Sequence, residues 1–223
     1  MLVATYNVRS FRKGIRSVAD ALEEPPDVLL LQECGSRRTV AAFATLMEME
    51  FVSSHRPFHG VRNAVLWRAP WRRVAHHVRD LPRQGRALRR GFVVVHLRAH
   101  SRELVATSAH LGLAPRERQR HAREITDHLV GTDGGLLLGV DLNEGPDGPA
   151  YRWIGERLYD AFLGTGEGAG ATFPAAAPTA RIDFLFVGEG TRVIRSRVPD
   201  TPAAGNASDH LPLTAEIDFE EIR

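Results

Sequence analysis

Three short polar clusters in this chain stand where an apolar run gives way to a loop: Asp141-Leu142-Asn143, Arg181-Ile182-Asp183 and Ser208-Asp209-His210. Asn7 and Glu33 close two further apolar runs upstream. Asp, Asn and His delivered from separate strand ends, with a carboxylate far upstream, form the inventory for metal-assisted attack on a phosphate ester. That reaction needs a hard cation on the phosphoryl oxygens, a base that makes hydroxide, donors for the transition state and help for the leaving oxygen. Glu33 offers a carboxylate oxygen and Asn7 an amide oxygen, donors that suit Mg²⁺ or Mn²⁺. No Cys or His set has zinc spacing. His210 beside Asp209, with Asp183 available, has the makings of an oriented imidazole, because a carboxylate on one ring nitrogen fixes the tautomer and raises the pKa. Asp141 and Asn143 are two apart, so on an extended segment they face the same side.

The elements that would position these groups follow from periodicity. Leu2 to Val8 and Asp27 to Gln32 read as buried strands, with Val28-Leu29-Leu30-Leu31 apolar on both faces. Between them, Ile15 to Glu24 has helical spacing, ended by Pro25-Pro26, and Val40 to Met49 is a second helix. Asn63 to Trp67, Arg73 to Val78, Phe92 to Arg98 and Glu103 to Ala109 read as strands joined by gaps too short for crossover helices. Pro115 to Gly131 reads as a helix with Ile125 and Leu129 inward, Leu136 to Val140 as a central strand, and Pro149 to Arg157 as a short helix. Gly164 to Ala180 reads as a long surface loop and Pro199 to Ala207 as another. Ile182 to Val187, Arg192 to Val198 and Leu211 to Phe219 complete the strands.

At 223 residues and 43% hydrophobic content, the chain has enough apolar mass for one core, and no composition break divides it, so residues 1–223 read as a single domain. No apolar stretch is long enough to span a bilayer, and the N-terminus lacks a signal-peptide layout, so the expectation is a soluble, cytoplasmic protein. The one cysteine, Cys34, follows an apolar strand and reads as a small buried filler. Net charge is only +2, yet Arg62 to Arg102 holds eleven arginines and one acid, a local +10 that leaves −8 elsewhere. Arginine's planar fork suits phosphate, so this segment suggests a polyanionic substrate, with a solvated arginine-rich surface as the plainer explanation. Of the remaining histidines (55, 59, 76, 77, 96, 100, 121 and 128), most read as surface residues.

Taken in order, Thr5-Tyr6-Asn7-Val8-Arg9, Leu31-Gln32-Glu33, Ser108-Ala109-His110-Leu111, Gly139-Val140-Asp141-Leu142-Asn143, Arg181-Ile182-Asp183-Phe184 and Ser208-Asp209-His210 resemble the motifs of the endonuclease/exonuclease/phosphatase superfamily, the deoxyribonuclease-I-like fold. Gly60 to Trp67, centred on Asn63, is similar to a further strand of that family. The resemblance implies an α/β fold, a four-layer α/β sandwich of two facing mixed β-sheets flanked by helices. It implies Glu33 as main Mg²⁺ ligand with Asn7 beside it and Asp209 in support. His210, paired with Asp183, would be base or phosphate-contacting acid, with Asp141 the competing base. Asn143 would bind the transition state, His110 would contact the scissile phosphate or help the leaving group, and Asn63 would lie on the substrate side; Arg9, a departure from the family pattern, reads either as a substrate-phosphate contact or as a solvated arginine. Arg9 stands where abasic endonucleases carry Asp, and Trp67 where Ser is frequent. The expected activity is a Mg²⁺-dependent hydrolase of phosphate esters acting on DNA or RNA. The alternatives are a phosphatase or phosphodiesterase of a small-molecule or lipid ester, and a catalytically silent binding domain on the same scaffold. Oligomeric state is not legible.

Overall fold

The computed structural model describes residues 1–54, 62–129, 131 and 134–219. Gly60, His55 and His59 lie outside the described residues. The elements run β1 (Leu2–Asn7), α1 (Ile15–Asp20), β2 (Val28–Gln32), α2 (Arg37–Leu46), β3 (Glu50–Ser53), β4 (Ala64–Trp67), β5 (Arg72–Asp80), β6 (Gly91–Ala99), β7 (Arg102–His110), α3 (Pro115–Leu129), β8 (Gly135–Asp141), α4 (Pro149–Gly155), β9 (Tyr159–Asp160), β10 (Gly166–Glu167), β11 (Asp183–Val187), β12 (Thr191–Arg197), α5 (Pro202–Ala207) and β13 (Leu213–Phe219). A 3-10 turn at Arg9–Phe11 follows β1.

Two sheets result. One has seven strands in the order β10-β12-β13-β1-β2-β4-β3, the other six in the order β5-β6-β7-β8-β11-β9. Both are mixed: β1 runs parallel to β2 but antiparallel to β13, and β7 runs parallel to β8 while β8 and β11 are antiparallel. The expected four-layer sandwich is present. Its layers follow from period-2 alternation. In β2, Val28 and Leu30 enter the core between the sheets, while Leu29 and Leu31 pack outward against α1 and α2 through Val18, Leu22, Val40 and Phe43. In β8, Leu137 faces the inter-sheet core, while Leu136, Leu138 and Val140 face Ala122, Ile125 and Leu129 of α3. This double burial makes the central strands apolar on both faces.

The same alternation turns polar towards one end of the sandwich. Continuing the inner-facing positions, β1 presents Asn7, β2 Gln32, β7 Ser108 and His110, β8 Asp141 and β11 Asp183, and all of these side chains are buried. The strand registers align them. His110 lies opposite Asp141, Asp141 opposite Asp183, and Asn7 opposite Gln32. Gln32 ties the sheets together just below this rim, its Nε2 donating to Ser108 Oγ at 3.1 Å and to Gly139 O at 3.3 Å. The sheets approach closely at Gly139, where a Cβ would stand 2.7 Å from both Leu30 Cβ and Thr5 Oγ1.

Several local readings are corrected. The helix expected at Val40 to Met49 is instead Arg37–Leu46, capped by Ser36 Oγ accepting from Thr39 N at 3.1 Å. The loop expected over Pro199 to Ala207 contains α5. Thr201 caps it, its Oγ1 accepting from Ala204 N at 3.2 Å, and Pro202 opens its first turn. Its Pro, Gly and Asn content hid a helix that is stabilised by packing Ala204 and Ala207 into the outer core. His121 is fully buried on α3, not at the surface. Within Gly164 to Ala180, Thr172 and Ala175 are buried, so that segment is not purely a surface loop.

The inter-sheet approach at Gly139 yields a prediction. Gly139→Ala forces Leu30 and Thr5 apart and costs about 1–3 kcal/mol, in the range of core overpacking. Chemical denaturation of the variant would read it, and an unchanged midpoint would refute the tight approach.

Candidate active site

Asp141 is the centre of the rim. Its Oδ2 accepts from Asn7 Nδ2 at 2.8 Å, across the gap between sheets, and lies 3.2 Å from His110 Nε2 on the neighbouring strand. Its Oδ1 accepts from Asn143 N at 3.1 Å, in a turn that Asn143 closes with a φ of 55°. The amide of Asn143 also donates to Leu111 O at 3.0 Å. A buried carboxylate is tolerated only when its oxygens are satisfied in this way.

The two histidines flanking Asp141 differ in charge. Arg90 Nη1 approaches His110 Nδ1 at 2.8 Å, and arginine has no acceptor. Nδ1 therefore accepts, and the proton sits on Nε2, donated to Asp141. Burial, reinforced by the Arg90 charge and only partly opposed by Asp141, lowers the His110 pKa to about 3. His110 is neutral. On the other side, His210 Nδ1 is 2.8 Å from Asp183 Oδ2, which also accepts from Thr172 Oγ1 at 2.6 Å. Burial lowers this pKa too, but is outweighed by Asp183, through charge and hydrogen bond, with Asp141 and Asp209 adding to it. The His210 pKa rises to about 9. His210 is thus an imidazolium, with Nε2 4.0 Å from Asp141 Oδ2. The Phe173 ring packs on it at a centroid distance of 4.9 Å.

The remaining expected residues fall around this centre. Glu33 follows β2 at a φ of 51° and lines a cleft of about 520 Å³ together with His110, Asn63 and Arg90. It stays 39% exposed, 3.9 Å from His110 Nδ1. Asn63 is buried, its amide donating to Gly91 O at 2.8 Å and Ser108 O at 3.3 Å, so it joins strand ends at the cleft floor. Arg9 and Asp209 form an ion pair at 3.2 Å, and Ser208 Oγ donates to Asn7 O at 2.8 Å, which fastens the Asp209 turn to β1.

For a metal, the donor chemistry fits a hard divalent cation: the Glu33 and Asp209 carboxylates and the Asn7 amide oxygen are all oxygen ligands. Asp141, Asp183 and His210 also place one ligand atom each within 4.8 Å of the others. The proton held between His210 and Asp183 competes with a cation there.

Four contributors lacked a local signal. Arg90 was one arginine in a run of them, Thr172 and Phe173 sat in a low-complexity loop, and His121 looked like a surface residue. Gln32 and Ser108 did carry a signal: polar residues at inner positions of strands otherwise buried on both faces.

An Asp-His pair, a second Asp and a Glu at one rim of a two-sheet sandwich form an arrangement chemically suited to phosphoester hydrolysis. The family model described as Endonuclease/Exonuclease/phosphatase family matches residues 4–210, and the chain belongs to that family. Among curated proteins, none matches the chain by sequence. Solved structures share the fold. A mannosyl-6-phosphatase of Bacteroides thetaiotaomicron superposes with a TM-score of 0.85 at 19% identity, covering 98% of this chain and 100% of that one. The human Nocturnin catalytic domain with bound sulfate gives 0.79 at 16% identity, over 99% of this chain and 94% of that one. A humanized D. rerio TDP2 gives 0.81 at 15% identity, over 98% and 99%. Identities this low establish fold alone. No helix among the described residues is long and apolar enough to cross a membrane.

The two charge states make a stability prediction. His210 binds its proton more tightly folded than unfolded, so its contribution is complete below the ordinary value of 6.5 and is lost as pH rises through about 9. His110 does the reverse, its contribution complete above 6.5 and lost as pH falls towards about 3. In Asp183→Asn the largest influence opposing burial is gone, and the His210 midpoint falls well below 9. NMR titration of the imidazole reads this directly; a midpoint still near 9 in the variant would remove Asp183 as the cause.

Proposed function

We propose that this chain is a Mg²⁺-dependent phosphodiesterase acting on nucleic acid, with Mn²⁺ as an alternative ion. The observation that carries the reading is the Asp141 centre, where one buried carboxylate orders Asn7, neutral His110 and Asn143 with cationic His210 4.0 Å away. Glu33, Asn7 and Asp209 would hold the cation, which when bound neutralises charge on the phosphoryl oxygens. His210, kept protonated by Asp183, donates from Nε2 to a phosphoryl oxygen. Asp141 is the remaining candidate to take the proton of the attacking water. His110 can contact the scissile phosphate only by reorienting Nε2 or through Arg90, because both ring nitrogens are engaged. Asn143 has a second amide N–H for the transition state, and Arg9 can exchange Asp209 for phosphate. Asn63 acts on substrate through the cleft floor it shapes.

The nucleic-acid choice rests on the arginines lining the cleft. The second reading, a phosphatase of a small ester, is favoured by the compact cleft and by the similar mannosyl-6-phosphatase. A panel of DNA, RNA, nucleotides, sugar phosphates and inositol phosphates with Mg²⁺ separates the two.

Glu33→Ala and His210→Ala are each expected to lower kcat by at least about a hundredfold, the usual cost of one transition-state contact, with the fold intact by circular dichroism. Chelation should abolish turnover and Mg²⁺ restore it. Full activity in either variant, or in chelator, would overturn the assignment.

A further inference from the structure

The eleven arginines between Arg62 and Arg102 do not form one patch. The strand registers divide them. Gly91 at the start of β6 pairs with His110, whereas Arg98 pairs with Glu103 near the other end, roughly 24 Å away at 3.4 Å per residue. Arg72 pairs with Arg98 at that distant end, and Arg98 holds Glu103 at 2.5 Å. Arg62, Arg83, Arg86, Arg89 and Arg90 instead line the cleft in front of Glu33 and His110, joined there by Arg12.

The cleft arginines differ in how they are satisfied. Arg90 is buried and committed to His110. Arg12, Arg62, Arg83, Arg86 and Arg89 are exposed, and among the described residues none has a carboxylate within ion-pairing distance. Elsewhere Arg9, Arg118, Arg181 and Arg197 each hold an acid. Unpaired cations gathered around one concavity repel each other, and an anionic ligand relieves that cost.

Arg83, Arg86 and Arg89 are not carried on a loose, solvated run. Leu81 N donates to Arg90 O at 2.8 Å and closes the base of the segment, and Ala87 N donates to Gln84 O at 3.0 Å in its turn. Two buried α3 side chains fasten it. His121 Nε2 donates to Pro82 O at 2.7 Å while its Nδ1 accepts from Gly112 N at 3.2 Å, and Glu117 Oε1 accepts from Gln84 N at 3.2 Å. Since Gly112 lies two residues after His110, the same imidazole anchors the arginine segment and the chain leaving the active site.

We infer that this wall is a subsite for a second phosphate of the substrate, the one flanking the scissile phosphate along an oligonucleotide strand. The inference rests on the phosphodiesterase reading above. Arginine forks on a fixed backbone suit a phosphodiester oxygen pair. Leu88, 69% exposed between Arg86 and Arg89, lines the same cleft and offers the apolar face that a base or sugar covers and an inositol polyphosphate does not.

The test uses the triple variant Arg83→Gln, Arg86→Gln, Arg89→Gln, all at exposed positions. Binding of a labelled single-stranded 12-mer is followed by fluorescence anisotropy in chelator across a salt series, so no turnover is required. The slope of log K against log salt should flatten by about 2, the loss of three phosphate contacts on a single strand. In parallel, kcat/KM is compared for thymidine dinucleotides with and without a terminal phosphate at either end. The wild type should prefer one phosphorylated form about tenfold, and the variant should lose that preference. An unchanged salt slope, or a preference absent in the wild type or retained in the variant, overturns the subsite. Displacement of the strand by stoichiometric inositol hexakisphosphate would assign the wall to small polyphosphates and overturn the strand reading. Should the wild type cleave neither dinucleotide, the phosphodiesterase reading falls, and the anisotropy slope alone decides whether the wall binds phosphate.

Discussion

A single buried carboxylate, Asp141, is the interaction on which the rest of the rim depends. It takes hydrogen bonds from β1 of one sheet, from β7 beside it in the other, and from the turn that follows its own strand. An ionised group in this position would be too costly without those donors. Supplying them requires the two sheets to meet at a set distance. The Gly139 gap and the Gln32 cross-link below it establish that distance. Packing and site chemistry are therefore one constraint: loosening the sheets would leave Asp141 with an uncompensated charge.

Around that carboxylate, the protein separates two imidazoles by their environments. Both are buried, and burial alone would neutralise both. Arg90 reinforces neutrality at His110, and Asp183 overrides it at His210. The result is a neutral, doubly engaged ring on the Glu33 side of Asp141 and a cationic donor on the other. The difference comes chiefly from what each ring faces, an arginine at 2.8 Å from His110 and an aspartate at 2.8 Å from His210, where Asp141 and Asp209 add to the effect. Thr172 and Phe173 then hold the charged ring in place from a segment whose composition suggests little order.

The arginine-rich middle of the chain shows how topology redistributes charge. Its net +10 is a property of sequence order. Antiparallel pairing of β5, β6 and β7 sends some of it to the cleft and some to the opposite end of the sheet, where acids neutralise part of it. Only the first group can act on a substrate at Asp141.

Much of this is legible in the chain itself. Strands buried on both faces announced themselves as continuous apolar runs, and the polar residues ending them marked the rim, because alternation and strand termination are local properties of the chain. Asn7, Glu33, Asp141, Asp183 and His210 could be selected on that basis. What lay out of reach was everything set by distant neighbours. Helix α5 holds through Gly205 and Asn206 because its alanines find an apolar wall. Asn63 turns its amide to strand ends instead of open solvent. Arg90 was indistinguishable from ten similar arginines until the fold set it against His110, and His121 until α3 buried it under the arginine segment. The sequence by itself determined which side chains face inward at the strand ends. The tertiary structure alone decided which of them meet, and hence their protonation, since dielectric and charge act through space while the pattern of a strand acts only along it.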